Sequence, residues 1–257
     1  SLRAYLAYQW SHPGKQLIFM GVEFAQESEW ADGRSLDWWL LDQPAHYGIH
    51  ALVKDLNSIY RTHPAMWERD STEDGFAWID ANDAAGNTFS FLRFGAAGPD
   101  GQRQTLASIV NFSGGPHHDY RLGLPAPGRW NEVLNTDAEQ YGGSGVGNLG
   151  YVTAEAVPWH GQPYSALLTL PPSGAVWLEP AGPGEPDKVA EPIAAAKPVT
   201  APSAIEATAT PSSTGASDSK TTTSSKPVAD KSKPARSTKP GRSTKSARSA
   251  KPSGGTR

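Results

Sequence analysis

Thr88-Phe-Ser-Phe-Leu-Arg-Phe94 and Thr105-Leu-Ala-Ser-Ile-Val110 are short runs rich in aromatic and β-branched residues, separated by the turn-forming Gly98-Pro-Asp-Gly101. Such side chains fit a pleated, half-buried surface, and a Gly/Pro break between two runs reads as a reversal of the chain. The pattern extends in both directions. Phe76-Ala-Trp-Ile79 precedes it, and Tyr120-Arg-Leu-Gly-Leu124, Trp130-Asn-Glu-Val-Leu134, Ser165-Ala-Leu-Leu-Thr-Leu170 and Ala175-Val-Trp-Leu178 follow. Asn82-Asp83, Gly86-Asn87 and Gly114-Gly-Pro116 punctuate them. The spacing predicts an all-β antiparallel sandwich of seven or eight strands over residues 67–180.

Before Pro64 the period is different. Leu2, Tyr5, Leu6 and Trp10 recur at helical spacing until His12-Pro13-Gly14. Leu17-Ile-Phe-Met20 is apolar at every position, the pattern of a strand buried on both faces of a parallel sheet. Residues 24–45 read as a long polar loop. From about Ala45 to Arg61 a helix is expected, with Ile49, Leu52, Val53, Leu56, Ile59 and Tyr60 on one face. Helix, buried strand, loop, helix is the pattern of one end of a (β/α)8 barrel. The chain opens at Ser1-Leu2-Arg3 without Met, already inside an amphipathic pattern, which leads us to expect further sequence upstream.

All 24 aromatic residues lie in the first 180 positions, which carry 10 Lys+Arg against 20 Asp+Glu. The last 77 residues have neither aromatics nor Leu and carry 13 cations against 6 acids. Without large apolar side chains a segment cannot offset its chain entropy by burial, so residues 181–257 are expected to be a disordered basic tail. Lys233, Lys239, Lys245 and Lys251 are in phase at a period of six, as are Arg236, Arg242 and Arg248. This repeat is similar to the basic arms that coat nucleic acid or another polyanion through counterion release; the bland alternative is a solubilising extension.

The absence of Cys excludes disulfides, thiolate metal sites and thiol catalysis, and no apolar run approaches the ~20 residues that span a bilayer. His46 and His50 are four apart, but without a metalloprotease-type Glu beside them no metal site is expected. Gly145-Val-Gly-Asn-Leu-Gly150 matches the dinucleotide fingerprint only formally. No buried strand precedes it and a strand-like Tyr151-Val-Thr153 follows, so it reads as a flexible loop, and no cofactor is expected. His117-His-Asp119 reads as a turn and hydrogen-bonding cluster. Asn111-Phe-Ser113 matches a glycosylation sequon.

Leu2-Arg-Ala-Tyr5, the stretch from His12 to Gln26 containing Phe19-Met-Gly-Val-Glu-Phe-Ala-Gln26, and Ser35-Leu-Asp-Trp38 resemble the end of the catalytic barrel of bacterial glycogen branching enzymes. Val53-Lys-Asp-Leu-Asn57, Tyr60-Arg61, Pro64-Ala-Met66, Asn111-Phe112, Asp119-Tyr-Arg121, Leu134-Asn-Thr-Asp137, His160-Gly161 and Leu168-Thr-Leu-Pro-Pro172 extend the likeness to about Pro180. The resemblance implies a member of the α-amylase superfamily that moves α-1,4-glucan segments onto a glucose 6-hydroxyl. The substrate would be glycogen or linear maltodextrin, in a bacterial cytoplasm. Such retaining chemistry needs a carboxylate nucleophile and a carboxylic acid about 5–5.5 Å apart. The family places these groups on earlier barrel strands, so catalytic residues are expected upstream of residue 1. This chain is then the last barrel strand and helices (1–66), the β-domain (67–180) and the tail, a piece inactive alone that needs the missing barrel as its partner. Two alternatives stand: another α-amylase-superfamily glucan enzyme, or a non-catalytic carbohydrate-binding β-module with a polycationic anchor.

Glu23 follows the expected buried strand directly, the position where barrels mount site residues. With Asp37 it could form a carboxylate pair, but the resemblance puts catalysis elsewhere and leaves Glu23 a place along the glucan cleft or in a structural hydrogen bond. Trp30 and Trp38 are candidates for stacking on sugars, against the ordinary alternative of core packing that also applies to Trp39. The candidate substrate-binding residues are therefore Glu23, Trp30 and Trp38.

Overall fold

Strand β8 (Gly174–Pro180) explains how the molecule is layered. Its side chains alternate between two separate cores: Ala175 and Trp177 point to one, Val176 and Leu178 to the other. A strand buried on both faces must lie inside a three-layer arrangement. The computed structural model describes residues 1–182. The expected basic tail, 181–257, lies almost entirely outside the described residues.

The sheet containing β8 has six antiparallel strands in the order β1-β2-β3-β8-β5-β6. These are β1 (Phe76–Asp80), β2 (Thr88–Ala97), β3 (Arg103–Asn111), β5 (Gly128–Asn135) and β6 (Tyr151–Ala154). Strands β4 (His117–Leu124) and β7 (Tyr164–Leu170) pair antiparallel in a second sheet. Ala107, Ile109, Val176 and Leu178 of the large sheet meet Leu122, Leu124, Ala166 and Leu168 of the small one. This is the antiparallel sandwich expected from the sequence, and every run read as a strand between 76 and 178 is one.

The other face of the large sheet is covered by helices. α1 (Leu2–Ser11) and α2 (Pro44–Thr62) place Leu6, Trp10, Leu52 and Leu56 on Leu106, Val110, Leu134 and Trp177. The predicted face of α2 is the buried one, with Ile49, Leu52, Val53 and Leu56 inside. In α1, Leu6 and Trp10 are buried together with Ala4 and Ala7, whereas Tyr5 is exposed. The helical and all-β segments thus share one core. Buried polar groups stitch it: Ser11 Oγ lies 2.9 Å from Ser108 Oγ. Arg93 of β2, fully buried, donates to Ser11 O (2.6 Å), to Met66 O (2.9 Å) and to Asp70.

Leu17-Ile-Phe-Met20, expected as a buried strand, is not one. It is irregular chain that turns at Met20 (φ 36°), with Leu17 78%, Phe19 52% and Met20 48% exposed. Strand identity depends on a neighbour to pair with, and among the described residues no strand lies beside it.

Candidate functional site

The loop after that stretch is built around Gly21, whose φ of 90° admits the turn and whose amide donates to Glu23 Oε2 at 3.1 Å. A Cβ on Gly21 would press on the Gln26 side chain at 2.7 Å. Gln26 in turn organises the loop: its Oε1 accepts from Asp37 N at 2.8 Å and its Nε2 donates to Ser28 O at 3.1 Å. Asp37 accepts from Arg34 Nη1 at 3.0 Å and from Ser28 Oγ. Its carboxylate is therefore committed to holding residues 28–37 together.

Glu23 lines an open cleft of about 520 Å³ with Ile18 and, from α2, His50, Lys54, Asn57 and Arg61. Neither tryptophan belongs to its walls. Trp30 is exposed and meets Phe19 edge-on at 5.2 Å. Trp38 is exposed and tilted on Phe24 at 5.1 Å, and Trp39 is exposed too. The structure therefore places Glu23, Trp30 and Trp38 in one loop region without bringing them to one cleft. The ordinary core-packing role is not realised for any of the three tryptophans among the described residues. His46 is buried and bonded through Nδ1 to Phe24 O at 2.9 Å, while His50 is exposed, so the pair anchors the loop on one side only. No group of three or more His, Cys, Asp or Glu among the described residues could hold a metal ion.

A second polar cleft, of about 580 Å³, opens on the sandwich between the start of β4 and the tip of the 155–165 hairpin. Asp83 there accepts from Thr88 Oγ1 (2.7 Å) and Gly86 N (2.7 Å), which holds its carboxyl below the usual range. His160 Nε2 stands 3.6 Å from Asp80 Oδ2, and burial pulls the His160 pKa down against that carboxylate. His117 bonds to Gly86 O at 2.8 Å, in keeping with the turn role read for His117-His-Asp119. Trp159 stands exposed at the hairpin tip. Trp159 carries no periodic signal in the sequence; its mark is the Trp-His-Gly turn, which is legible only through the pairing of Trp159 with Gln162.

Other motifs resolve structurally. Gly145–Gly150 leads into strand β6, not a helix, so it forms no dinucleotide cradle. The loop is pinned rather than free: Gly145 N donates to Asp137 O (2.8 Å) and Val146 N to Asp137 Oδ2 (3.2 Å). Asn111 is fully buried, donating to Gly115 O and Pro171 O at 2.9 Å each, so the sequon is a structural clasp.

Residues 78–181 match the alpha amylase C-terminal all-beta domain. The chain is 58% identical over 180 residues to the 1,4-alpha-glucan branching enzyme GlgB of Mycolicibacterium paratuberculosis, covering 70% of this chain and 24% of that protein. The same-named proteins of Leifsonia xyli subsp. xyli (58% over 179 residues) and Mycobacterium ulcerans (59% over 181 residues) match to the same shares. The chain spans about a quarter of the length of these relatives. By these likenesses the chain is similar over its first 180 or so residues to about a quarter of bacterial 1,4-alpha-glucan branching enzymes, and its sandwich to the all-beta C-terminal domain of the alpha-amylases.

Proposed function

We propose that this chain is the closing piece of a glycogen branching enzyme. It completes and braces a (β/α)8 barrel whose catalytic carboxylates lie in sequence not present here. One observation carries the reading: Leu17, Phe19 and Met20 form an exposed apolar run outside any sheet, with exposed Trp30 packed on Phe19, in a chain covering 24% of its relatives. An apolar run without strand partners, followed by a polar loop and a helix, suits the last βα unit of a barrel whose other strands are supplied from elsewhere. With the barrel present, residues 17–20 would pair on both sides, Glu23 would stand at the strand's C-terminal end facing the glucan cleft, and Trp30 and Trp38 would rim it. Glu23 and Asp37 are occupied by loop hydrogen bonds, which fits positioning roles for them.

The intact protein would transfer α-1,4-glucan segments to a 6-hydroxyl by retaining double displacement, through a glycosyl-enzyme formed on the absent carboxylate. What this chain's own residues do is orient glucan and exclude water at the barrel rim. A chimera tests this. The upstream three-quarters of the Mycobacterium ulcerans relative joined to residues 1–257 is expected to place α-1,6 branches on linear amylose. A folded chimera that leaves amylose linear contradicts the proposal.

A further inference from the structure

Trp159 is 47% exposed, yet its surroundings hold it with unusual care. Its N–H donates to Gln162 O at 3.1 Å and its carbonyl accepts from Gln162 N at 2.8 Å, closing a two-residue hairpin. The central residues, His160 and Gly161, have φ of 49° and 72°, the geometry of a type I′ turn. His160 costs strain there and is retained by two contacts: Gly123 N donates to its Nδ1 at 3.4 Å, and its Nε2 faces Asp80. Gly123 is also the point of closest approach, since a Cβ on it would collide with the Trp159 carbonyl. The hairpin tip is thereby clamped to β4, and the large indole it carries stands half-exposed to solvent.

The cleft on one side of that indole has the right complement of polar groups for a neutral polyol. Asp119 sits at a β-bulge between His117 and Tyr120 with φ of 54°, an irregularity that re-aims its side chain outward. The side chains of His118 and Asp119 are exposed and have no hydrogen-bond partner among the described residues. Arg121 and Asp80 supply a further donor and acceptor to the same walls. Three carboxylates, Asp80, Asp83 and Asp119, disfavour an anion. A rigid aromatic face beside free donors and acceptors suits a sugar ring, which has an apolar face and an equatorial rim of hydroxyls. We infer that Trp159, with His118 and Asp119, forms an oligosaccharide-binding subsite on the β-domain, separate from the barrel rim. It would hold a linear α-glucan chain by stacking one glucose on the indole. Pre-ordering the hairpin that carries the indole lowers the ordering cost of such a contact. This inference rests on the proposed glucan activity for its choice of sugar.

The test uses the full 257-residue chain and maltoheptaose as the probe. The nine Trp indole N–H signals are followed by ¹⁵N–¹H NMR, with that of Trp159 assigned by its loss in Trp159→Ala. The expected result is a saturable shift of the Trp159 signal in the natural chain and, read on the backbone amides of Gly123 and Gly161, at least a tenfold weaker affinity at this subsite in Trp159→Ala than in Trp159→Phe, both with unchanged Tm. Shifts confined to the other indoles would overturn the subsite while leaving a glucan-binding chain. No shift at any indole would overturn the subsite and weigh against the glucan reading as well.

Discussion

Tyr141 donates its phenolic proton to Asp55 Oδ2 at 2.7 Å, joining the turn after β5 to the middle of α2. Burial and the adjacent carboxylate together push the Tyr141 pKa far up, so the phenol keeps its proton to donate through neutral and alkaline pH. Just N-terminal on the same helix, Gly48 lets the Tyr141 backbone come close: a Cβ there would meet its carbonyl at 2.7 Å. Tyr141→Phe is expected to cost about 0.5–1.5 kcal/mol, the net worth of one hydrogen bond. Gly48→Ala is expected to cost roughly 1–3 kcal/mol by overpacking, despite the better helix propensity of Ala. Urea unfolding of the two variants checks both, and an unchanged midpoint for Gly48→Ala would show that this contact yields freely.

Arg93 is the most heavily committed charge in the fold. It is fully buried, with Asp70 only 10% exposed, and burial pulls its pKa down, an effect that the Asp70 carboxylate offsets only in part. Arg93→Met is expected to destabilise by about 3–5 kcal/mol, because it leaves the Asp70 carboxylate buried without its partner. The double variant Arg93→Met/Asp70→Asn is expected to recover part of that loss. Thermal melts of the three proteins measure it, and equal losses in single and double variants would remove the charge from the explanation.

His63 caps α2 and faces β8. Its Nε2 lies 3.2 Å from Glu179 Oε2 and its Nδ1 2.9 Å from Ile59 O, so both nitrogens face acceptors, the arrangement of an imidazolium. The Glu179 hydrogen bond, reinforced by its charge, raises the His63 pKa above 6.5 against the opposing effect of burial. A raised folded-state pKa gives stability that is fully present below pH 6.5 and fades as pH climbs through the folded value. Tm is therefore expected to fall between pH 6 and 8.5 more in the natural chain than in Glu179→Gln. Parallel Tm–pH curves for the two would show that the pair contributes nothing.

The change of period at Pro64 invites cutting the chain there, but the core does not divide at that point. Trp177, Leu106, Val110 and Leu134 are buried by α1 and α2. Residues 67–182 alone are expected to bind ANS and to aggregate or melt well below residues 1–182. A monomeric, ANS-silent 67–182 with the same Tm would contradict the shared core.

What could be read from the chain was periodicity. α2 was legible from Ile49 to Leu56 because four apolar residues fall on one helical face, and β2 and β3 because their β-type runs and turn residues agree. That the sheet has a second buried face was written in β8 itself: Ala175-Val-Trp-Leu178 is apolar at every position, where a one-sided strand alternates. Leu17-Ile-Phe-Met20 has the same apolar continuity without becoming a strand, since a strand also needs a neighbour that local sequence cannot supply. The candidate residues fared similarly. Glu23, Trp30 and Trp38 were recognisable by type and position, but which cleft each lines depends on α2 and on Phe19 and Phe24. Trp159 escaped because an exposed aromatic at a hairpin tip leaves no periodic signal.

The most direct measurement is the branching activity of the 257-residue chain by itself on linear amylose, with new α-1,6 linkages read by NMR. The account predicts none, since it assigns the catalytic carboxylates to sequence absent from this chain. Robust branching by this chain alone, abolished by Glu23→Gln or Asp37→Asn, would contradict it and place the chemistry in the loop after Met20.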